Sequence, residues 1–219
     1  MTLRLYSYWR SSSSWRVRIG LGLKGLPFEL RTVNLLGGEQ DRPEHRARSP
    51  LGHVPVLEVI EAGRTLVLVE SMAILAYLDE RFTEAPLLPP DLEGRARVRA
   101  LAEHVNSAIQ PLQNNVVQRF LKARQPGLER EFARHFVELG LAALETALGD
   151  GGAGRFCHGD APGLADCYLV PQLSSARRLE VDLGPYPKLR RVEEACAPLP
   201  AFQAAQPSCQ PDAPERRTP

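Results

Sequence analysis

Cysteine is scarce in this sequence and poorly placed for shared chemistry. The four thiols, Cys157, Cys167, Cys196 and Cys209, form neither a CxxC pair nor a metal-spaced cluster with histidine. Free, reduced thiols are therefore expected, with Cys167 as a small core residue in a helix. Histidines His45, His104, His135 and His158 are scattered without ligand spacing, so no metal site is expected either. Net charge is also missing: 27 Lys+Arg against 26 Asp+Glu leave +1. No global field draws such a chain to nucleic acid or to an anionic membrane, and any anionic ligand has to be held by local arginines. No window approaches the roughly 20 apolar residues needed to span a bilayer. The opening Met1-Thr2-Leu3-Arg4-Leu5-Tyr6 lacks the apolar run and small-residue cleavage site of a signal peptide, which points to the cytoplasm.

What the chain does have is core material and a change of rhythm. With 219 residues, 43% of them apolar, it has enough for one large domain or two modest ones. Leu3 to Tyr8 alternates like a strand. Ser12 to Lys24 carries Trp15, Ile19 and Leu23 at helical spacing and stops at Gly25 before Pro27. A strand over Glu29 to Asn34 and a short helix near Pro43 to Arg48 follow. Val56 to Ile60 and Thr65 to Val69 then read as a hairpin around Ala62-Gly63, and Ser71 to Arg81 as a helix with Ile74, Leu75 and Leu78 on one face. Residues 83–91, with Pro86, Pro89 and Pro90, break the pattern and predict a linker between a domain over 1–82 and another over 92–219. Beyond the linker, Val98, Leu101, Val105 and Ile109, and then Phe132, Phe136, Leu139 and Ala143, predict an all-helical bundle. The tail from Pro207 lacks periodicity and is expected to be loosely held.

The order βαβ, α, ββα, with Val54-Pro55 at the entrance of the third strand, is the thioredoxin-like layout. Read alone, that proline is an ordinary edge residue. In this layout a cis bond there turns the Val54 N–H and C=O toward an extended, peptide-like ligand. The first helix points its N-terminus at the same face. Unpaired N–H groups and the positive end of the helix dipole favour a thiolate over a thiol, and Ser11, Ser12, Ser13 and Ser14 add hydroxyls. Ionising a thiol of pKa about 8.5 at neutral pH takes a lowering of roughly one to two units, about 1.4 to 2.8 kcal/mol. One helix terminus and one or two charge-assisted hydrogen bonds supply that much. No cysteine lies in this segment, so the sulfur has to arrive with a ligand, for which glutathione is the natural candidate. Glu70-Ser71 opens the next helix, where an acid and free N–H groups suit an α-amino acid. Ser71 serves equally well as a plain N-cap, and the two roles are compatible.

The run Tyr6-Ser7-Tyr8-Trp9-Arg10-Ser11-Ser12-Ser13-Ser14-Trp15-Arg16-Val17-Arg18-Ile19 resembles the signature of the zeta-class glutathione transferases, the maleylacetoacetate isomerases. Glu70-Ser71-Met72-Ala73-Ile74, Ile109-Gln110-Pro111-Leu112-Gln113-Asn114, Gly159-Asp160, the stretch from Ala165 to Leu173, and Val181 to Pro187 are similar to that family in order and spacing. The resemblance implies a glutathione transferase fold, a homodimer, and glutathione as cofactor. It further implies cis–trans isomerisation of a small dicarboxylate keto acid from tyrosine or phenylalanine breakdown. Carried over by position, Ser11 is the catalytic hydroxyl, with Ser12 and Ser13 beside the thiol. His53, Val54, Glu70 and Ser71 bind the glutathione backbone, and Gln110 reaches in from the helical domain. Arg10 and Arg178 are the expected pair for the substrate carboxylates, since a guanidinium suits a carboxylate bidentately, and Arg177 is expected to be a surface charge.

Two positions depart from the family. Ser13 stands where cysteine is usual, which leaves the thiolate chemistry to hydroxyls. Gly163 stands where a Thr or Ser cap is usual, and Asp166 is expected to tie its helix to the preceding loop. Three other functions compete: maleylpyruvate isomerisation, general glutathione conjugation including halide removal from small halo acids, and a non-catalytic binding module on the same fold.

Overall fold

A computed structural model describes residues 1–214 of the chain. Two compact units are present, Met1–Pro86 together with the chain from Leu199 onward, and Leu87–Pro198. The break falls between Pro86 and Leu87, and the stretch from Leu199 belongs with the first unit, whereas the sequence pattern assigns all of 92–219 to the helical domain.

The first unit runs β1 (Thr2–Ser7), α1 (Ser12–Leu23), β2 (Glu29–Thr32), α2 (Pro43–Arg46), β3 (Val56–Glu61), β4 (Arg64–Val69) and α3 (Ser71–Arg81). Its sheet has the order β2-β1-β3-β4, with β1 parallel to β2 and antiparallel to β3, and β3 antiparallel to β4. Register places Leu3 opposite Val59 and Leu5 opposite Leu57. These four side chains are buried, so one sheet face is apolar. The other carries Arg4, Tyr6 and Glu58. Glu58 accepts hydrogen bonds from Arg48 (2.7 Å), Arg4 (3.1 Å) and the Tyr6 hydroxyl (3.3 Å). Burial pushes the Glu58 carboxyl up, but these donors outweigh it and leave its pKa below the ordinary glutamate value.

Helix α1 packs against α3. It ends as the sequence predicts: Gly25 takes φ 63°, and the Leu26 N–H closes onto the Leu21 carbonyl at 3.0 Å. Lys24, just past the last turn, reaches Asp79 of α3 at 3.0 Å and the carbonyls of Glu84 and Ala85.

The second unit is helical: α4 (Leu92–Glu103), a π turn (His104–Ile109), a 3-10 turn (Gln110–Gln113), α5 (Asn115–Arg124), α6 (Leu128–Ala147), α7 (Leu164–Arg178) and α8 (Pro187–Cys196). On α6 the buried stripe is Ala133, Val137, Leu141 and Leu144 rather than Phe132, Phe136, Leu139 and Ala143. Leu139 and Ala143 are exposed, while the half-buried Phe132 and Phe136 rings touch each other, tilted at 54° with centroids 4.6 Å apart. Gly140, beside Leu141 of that stripe, approaches Ile109 so closely that a Cβ there would overlap the Ile109 side chain, which fits the helix being turned with this side inward. Asp166, buried in the first turn of α7, accepts from the N–H of Gly163 (2.8 Å) and of Cys157 (2.9 Å), tying helix to loop as expected. Burial is the largest influence on the Asp166 carboxyl and raises its pKa against the pull of those two donors.

The chain returns to the first unit through α9 (Pro200–Ala205), which packs on α1 with Phe202 buried. The loosely held tail expected from Pro207 is instead built in. Pro207–Cys209 forms a 3-10 turn, and Asp212 accepts from the Trp9 N–H at 2.9 Å. Residues 215–219 of that tail lie outside the described residues. No helix among the described residues is long and apolar enough to cross a membrane.

Candidate active site

Register decides which loops of the first unit meet. Tyr6 near the end of β1 pairs with Val56 at the start of β3, and Val56 pairs with Val69 at the end of β4. The loop Tyr8 to Ser11, the Val54-Pro55 entrance and the Glu70-Ser71 corner therefore share one edge of the sheet. Tyr8, Val33 and Val54 form a buried apolar cluster there, with Trp9 packed against it.

Ser11 is the N-cap of α1. Its backbone is extended (φ −66°, ψ 117°), and its Oγ accepts from the Ser14 N–H at 3.2 Å. That bond uses a lone pair and leaves the hydroxyl proton available to an acceptor beyond the helix end. Ser12 and Ser13 are half-buried in the first turn, where a helix supplies no carbonyl of its own for the leading N–H groups. No acidic side chain lies in that turn, so the positive end of the dipole is uncompensated by the protein. Ser14 departs from the expected hydroxyl cluster. Its side chain is wholly buried and its Oγ finds no hydrogen-bond partner among the described residues, so its part is the N–H it gives to Ser11.

The Val54-Pro55 bond is cis, and Val54 stands two residues before the first sheet pair of β3. Both backbone groups of the neighbouring His53 are held. Its N–H donates to Ser49 Oγ (3.0 Å), and its carbonyl accepts from His45 Nε2 (2.9 Å), which fixes the proton on that nitrogen. Glu70 caps α3 at φ 66°, a conformation costing roughly 1–3 kcal/mol for a non-glycine residue and found most often at functional sites. Its side chain is exposed, while Ser71 is buried and accepts from Arg16 Nη1 at 3.1 Å.

Arg10 is exposed, with its guanidinium 5.7 Å from the Trp9 ring centre. Gln110 and Arg178 belong to the second unit. Gln110 is half-buried where the π turn meets the 3-10 turn. Turns of this wide kind recur at functional sites. Arg178, exposed in the last turn of α7, donates to Ser175 Oγ at 2.9 Å. Arg177 is bound in a two-pronged pair with Glu193 of α8 at 2.6 and 2.5 Å. The described residues contain no group of three or more His, Cys, Asp or Glu able to hold a metal ion. The four cysteines are free, three buried and Cys209 exposed. Burial pushes the Cys157 and Cys196 thiols upward, away from reactivity.

Two residues of this site are not read from the sequence pattern. Arg16 and Arg18 are almost wholly buried in α1, one against Ser71 and the other against the loop that leads to Ser11. The available signal was the run Trp15-Arg16-Val17-Arg18-Ile19, in which arginines two apart cannot both lie on a solvent face when the apolar residues between and around them are buried.

The first unit is thioredoxin-like, and at one end of its sheet it gathers the N-terminus of α1, the cis Val54-Pro55 bond and the start of α3. The model for the glutathione S-transferase N-terminal domain matches residues 5–86 and that for the C-terminal domain residues 126–195, and the chain belongs to the glutathione S-transferase family, a family of enzymes. Within it the relatives are zeta-class isomerases. The maleylacetoacetate isomerase of Pseudomonas aeruginosa is 46% identical, over 97% of this chain and 99% of its own. The maleylacetoacetate isomerase of Anaeromyxobacter dehalogenans, solved with GSH bound in its active site, is 68% identical with a TM-score of 0.91, covering 97% of this chain and 98% of its own. A second crystal of that protein holds dicarboxyethyl glutathione and citrate. A bacterial zeta-class maleylpyruvate isomerase solved in its holo form is 41% identical with a TM-score of 0.91, covering 96% of this chain and 100% of its own.

Proposed function

We propose that the chain is a glutathione-dependent cis–trans isomerase that converts maleylacetoacetate to fumarylacetoacetate, in the breakdown of tyrosine and phenylalanine. The observation that carries this reading is the Ser11 hydroxyl, which caps α1 as an acceptor and so keeps its proton free to donate, at a helix end that no acidic side chain neutralises. Glutathione bound there supplies a thiolate that adds to a cis double bond conjugated with a ketone and is regenerated on elimination. Ser11 donates a hydrogen bond to the thiolate and keeps its proton. The leading N–H groups at Ser12 and Ser13 add positive potential, and hydroxyls suffice although the family's usual cysteine is replaced by Ser13. The Val54 backbone, beside a His53 peptide held on both sides, suits the extended backbone of a tripeptide. Glu70 and Ser71 at the start of α3 suit an amine and a carboxylate. Among the residues of the helical unit, Gln110 completes the glutathione contacts. Arg10 and Arg178 are the guanidinium groups proposed for the substrate carboxylates and for stabilising enolate-like charge. The dicarboxyethyl glutathione bound by the Anaeromyxobacter dehalogenans protein favours a dicarboxylate substrate.

We further propose a cytoplasmic homodimer. Its support in this chain is the outer strand β4, which exposes Leu66 (45%) and Val67 (40%), an apolar edge that proteins ordinarily cover. Sedimentation of the purified protein at twice the 24.2 kDa chain mass is the expected result.

Incubation with maleylacetoacetate and with maleylpyruvate, each with and without glutathione, tests the function. Glutathione-dependent isomerisation with glutathione left unconsumed is the expected outcome, and the faster substrate decides between the two isomerases. Accumulation of a glutathione conjugate indicates transfer instead. Equal, slow conversion with and without glutathione overturns the isomerase reading.

A further inference from the structure

The turn from Tyr8 to Ser11 carries Arg10 and the capping hydroxyl, yet it has little secondary structure of its own. Its one internal backbone bond runs from the Ser11 N–H to the Tyr8 carbonyl at 3.0 Å. Tyr8 and Trp9 pack in the apolar cluster with Val33 and Val54, Ser11 is tied to α1 as its cap, and the polar contacts to the peptide groups of Trp9 come from two charged side chains. Arg18, 3% exposed on α1, donates to Ser7 Oγ (2.9 Å), to the Tyr8 carbonyl (3.5 Å) and to the Trp9 carbonyl (3.1 Å). The same guanidinium donates twice to the Ala205 carbonyl at the end of α9, at 3.1 and 3.0 Å. From the other side Asp212, more than two hundred positions along the chain, takes the Trp9 N–H at 2.9 Å. The two ends of the Trp9 residue are thus each held by a charge-assisted bond, a kind worth about twice a neutral one. Burial lowers the Arg18 pKa to about 10, with the Asp212 charge acting against it, so the guanidinium stays ionised at neutral pH.

We infer that Asp212 is a positioning residue for this enzyme: through the Trp9 amide, and with Arg18 on the Trp9 carbonyl, it sets where Arg10 and Ser11 stand relative to the sheet edge. The side chain touches neither sulfur nor substrate. Its effect is on the placement of groups that do, and an error of about 1 Å in such placement costs up to ~100-fold in rate. The consequence for turnover rests on the isomerase reading above, whereas the clamp itself does not.

Two measurements on the full chain separate them. Hydrogen exchange at the Trp9 amide is expected to be slow in the parent and faster by about tenfold or more in Asp212→Ala and in a chain ending at Gln210. In the same variants kcat is expected to fall by about tenfold with KM for glutathione within about twofold, because Val54, Glu70 and Ser71 are untouched. Asp212→Asn keeps an amide oxygen for the same N–H and is expected to retain parent-like exchange and most of the turnover. If Asp212→Ala fails to fold, this variant decides, and an Asn protein as fast in exchange and as slow in turnover as the shortened chain overturns the hydrogen-bond role. Trp9 exchange in Asp212→Ala equal to that of the parent, or kcat within about twofold of it, also overturns the inference. A parent that ignores glutathione would sink the isomerase reading while leaving the exchange result to decide the clamp.

Discussion

At Ser11 one hydroxyl has two duties, and substitutions can separate them. Alanine removes both the cap and the donor, while glycine removes the donor but remains a tolerable cap, costing only a few tenths of a kcal/mol. Ser11→Gly is therefore expected to melt close to the parent, and Ser11→Ala to lose about 1 kcal/mol. Both should raise the pKa of bound glutathione's sulfur by about one to two units, read from thiolate absorbance against pH. Glu58 makes a pH-dependent prediction. Its folded pKa lies below the unfolded value near ~4.3, so its stabilising contribution is complete above that value and is lost as pH falls through the lower folded one. Glu58→Gln is expected to cost about 1–3 kcal/mol in urea unfolding at pH 7, and the gap should close only below about pH 4. Residue identity made the helix starts at Ser11 and at Glu70-Ser71 legible, because hydroxyls and acids favour the first positions of a helix. It did not reveal that Ser14 faces inward, since a run of four serines carries no mark of where the helix turns each one.

Among the elements, the strands and the helices of the first eighty residues follow their sequence periods to within a residue or two, because caps, turns and local apolar spacing specify them. Helix α6 does not. Phe132, Phe136, Leu139 and Ala143 repeat at helical spacing one or two positions away from the stripe that is buried, and the approach of Ile109 to Gly140, a contact more than thirty residues distant in sequence, lies on the buried side. The contact can be tested by a double-mutant cycle. Alanine at 140 gains about 1 kcal/mol of helix propensity but overlaps Ile109, and crowding a packed core costs about 1–3 kcal/mol. Gly140→Ala is expected to destabilise the parent and to be neutral or favourable in an Ile109→Ala background, as measured by denaturant midpoints.

For the whole molecule, the placement of the last residues is the point the sequence hides most. Prolines and polar residues after Pro207 look like a free end, yet α9 covers α1 and Asp212 reaches Trp9. A fragment holding residues 1–86 alone leaves the α9 face of α1 bare and deprives Arg18 of the Ala205 carbonyl. It is expected to give little native circular dichroism, and joining residues 199–219 to it through a flexible linker is expected to restore cooperative melting.

Because one compact unit is assembled from the first and the last parts of the chain, translation imposes a delay on it. A ribosome adding about 5–20 residues per second spends on the order of ten seconds making the intervening Leu87–Pro198 before the missing piece emerges. The serine-bearing loop therefore leaves the exit tunnel well before α9 and takes its working shape only after it, so nascent chains halted ahead of Leu199 should be inert and readily cut by proteases.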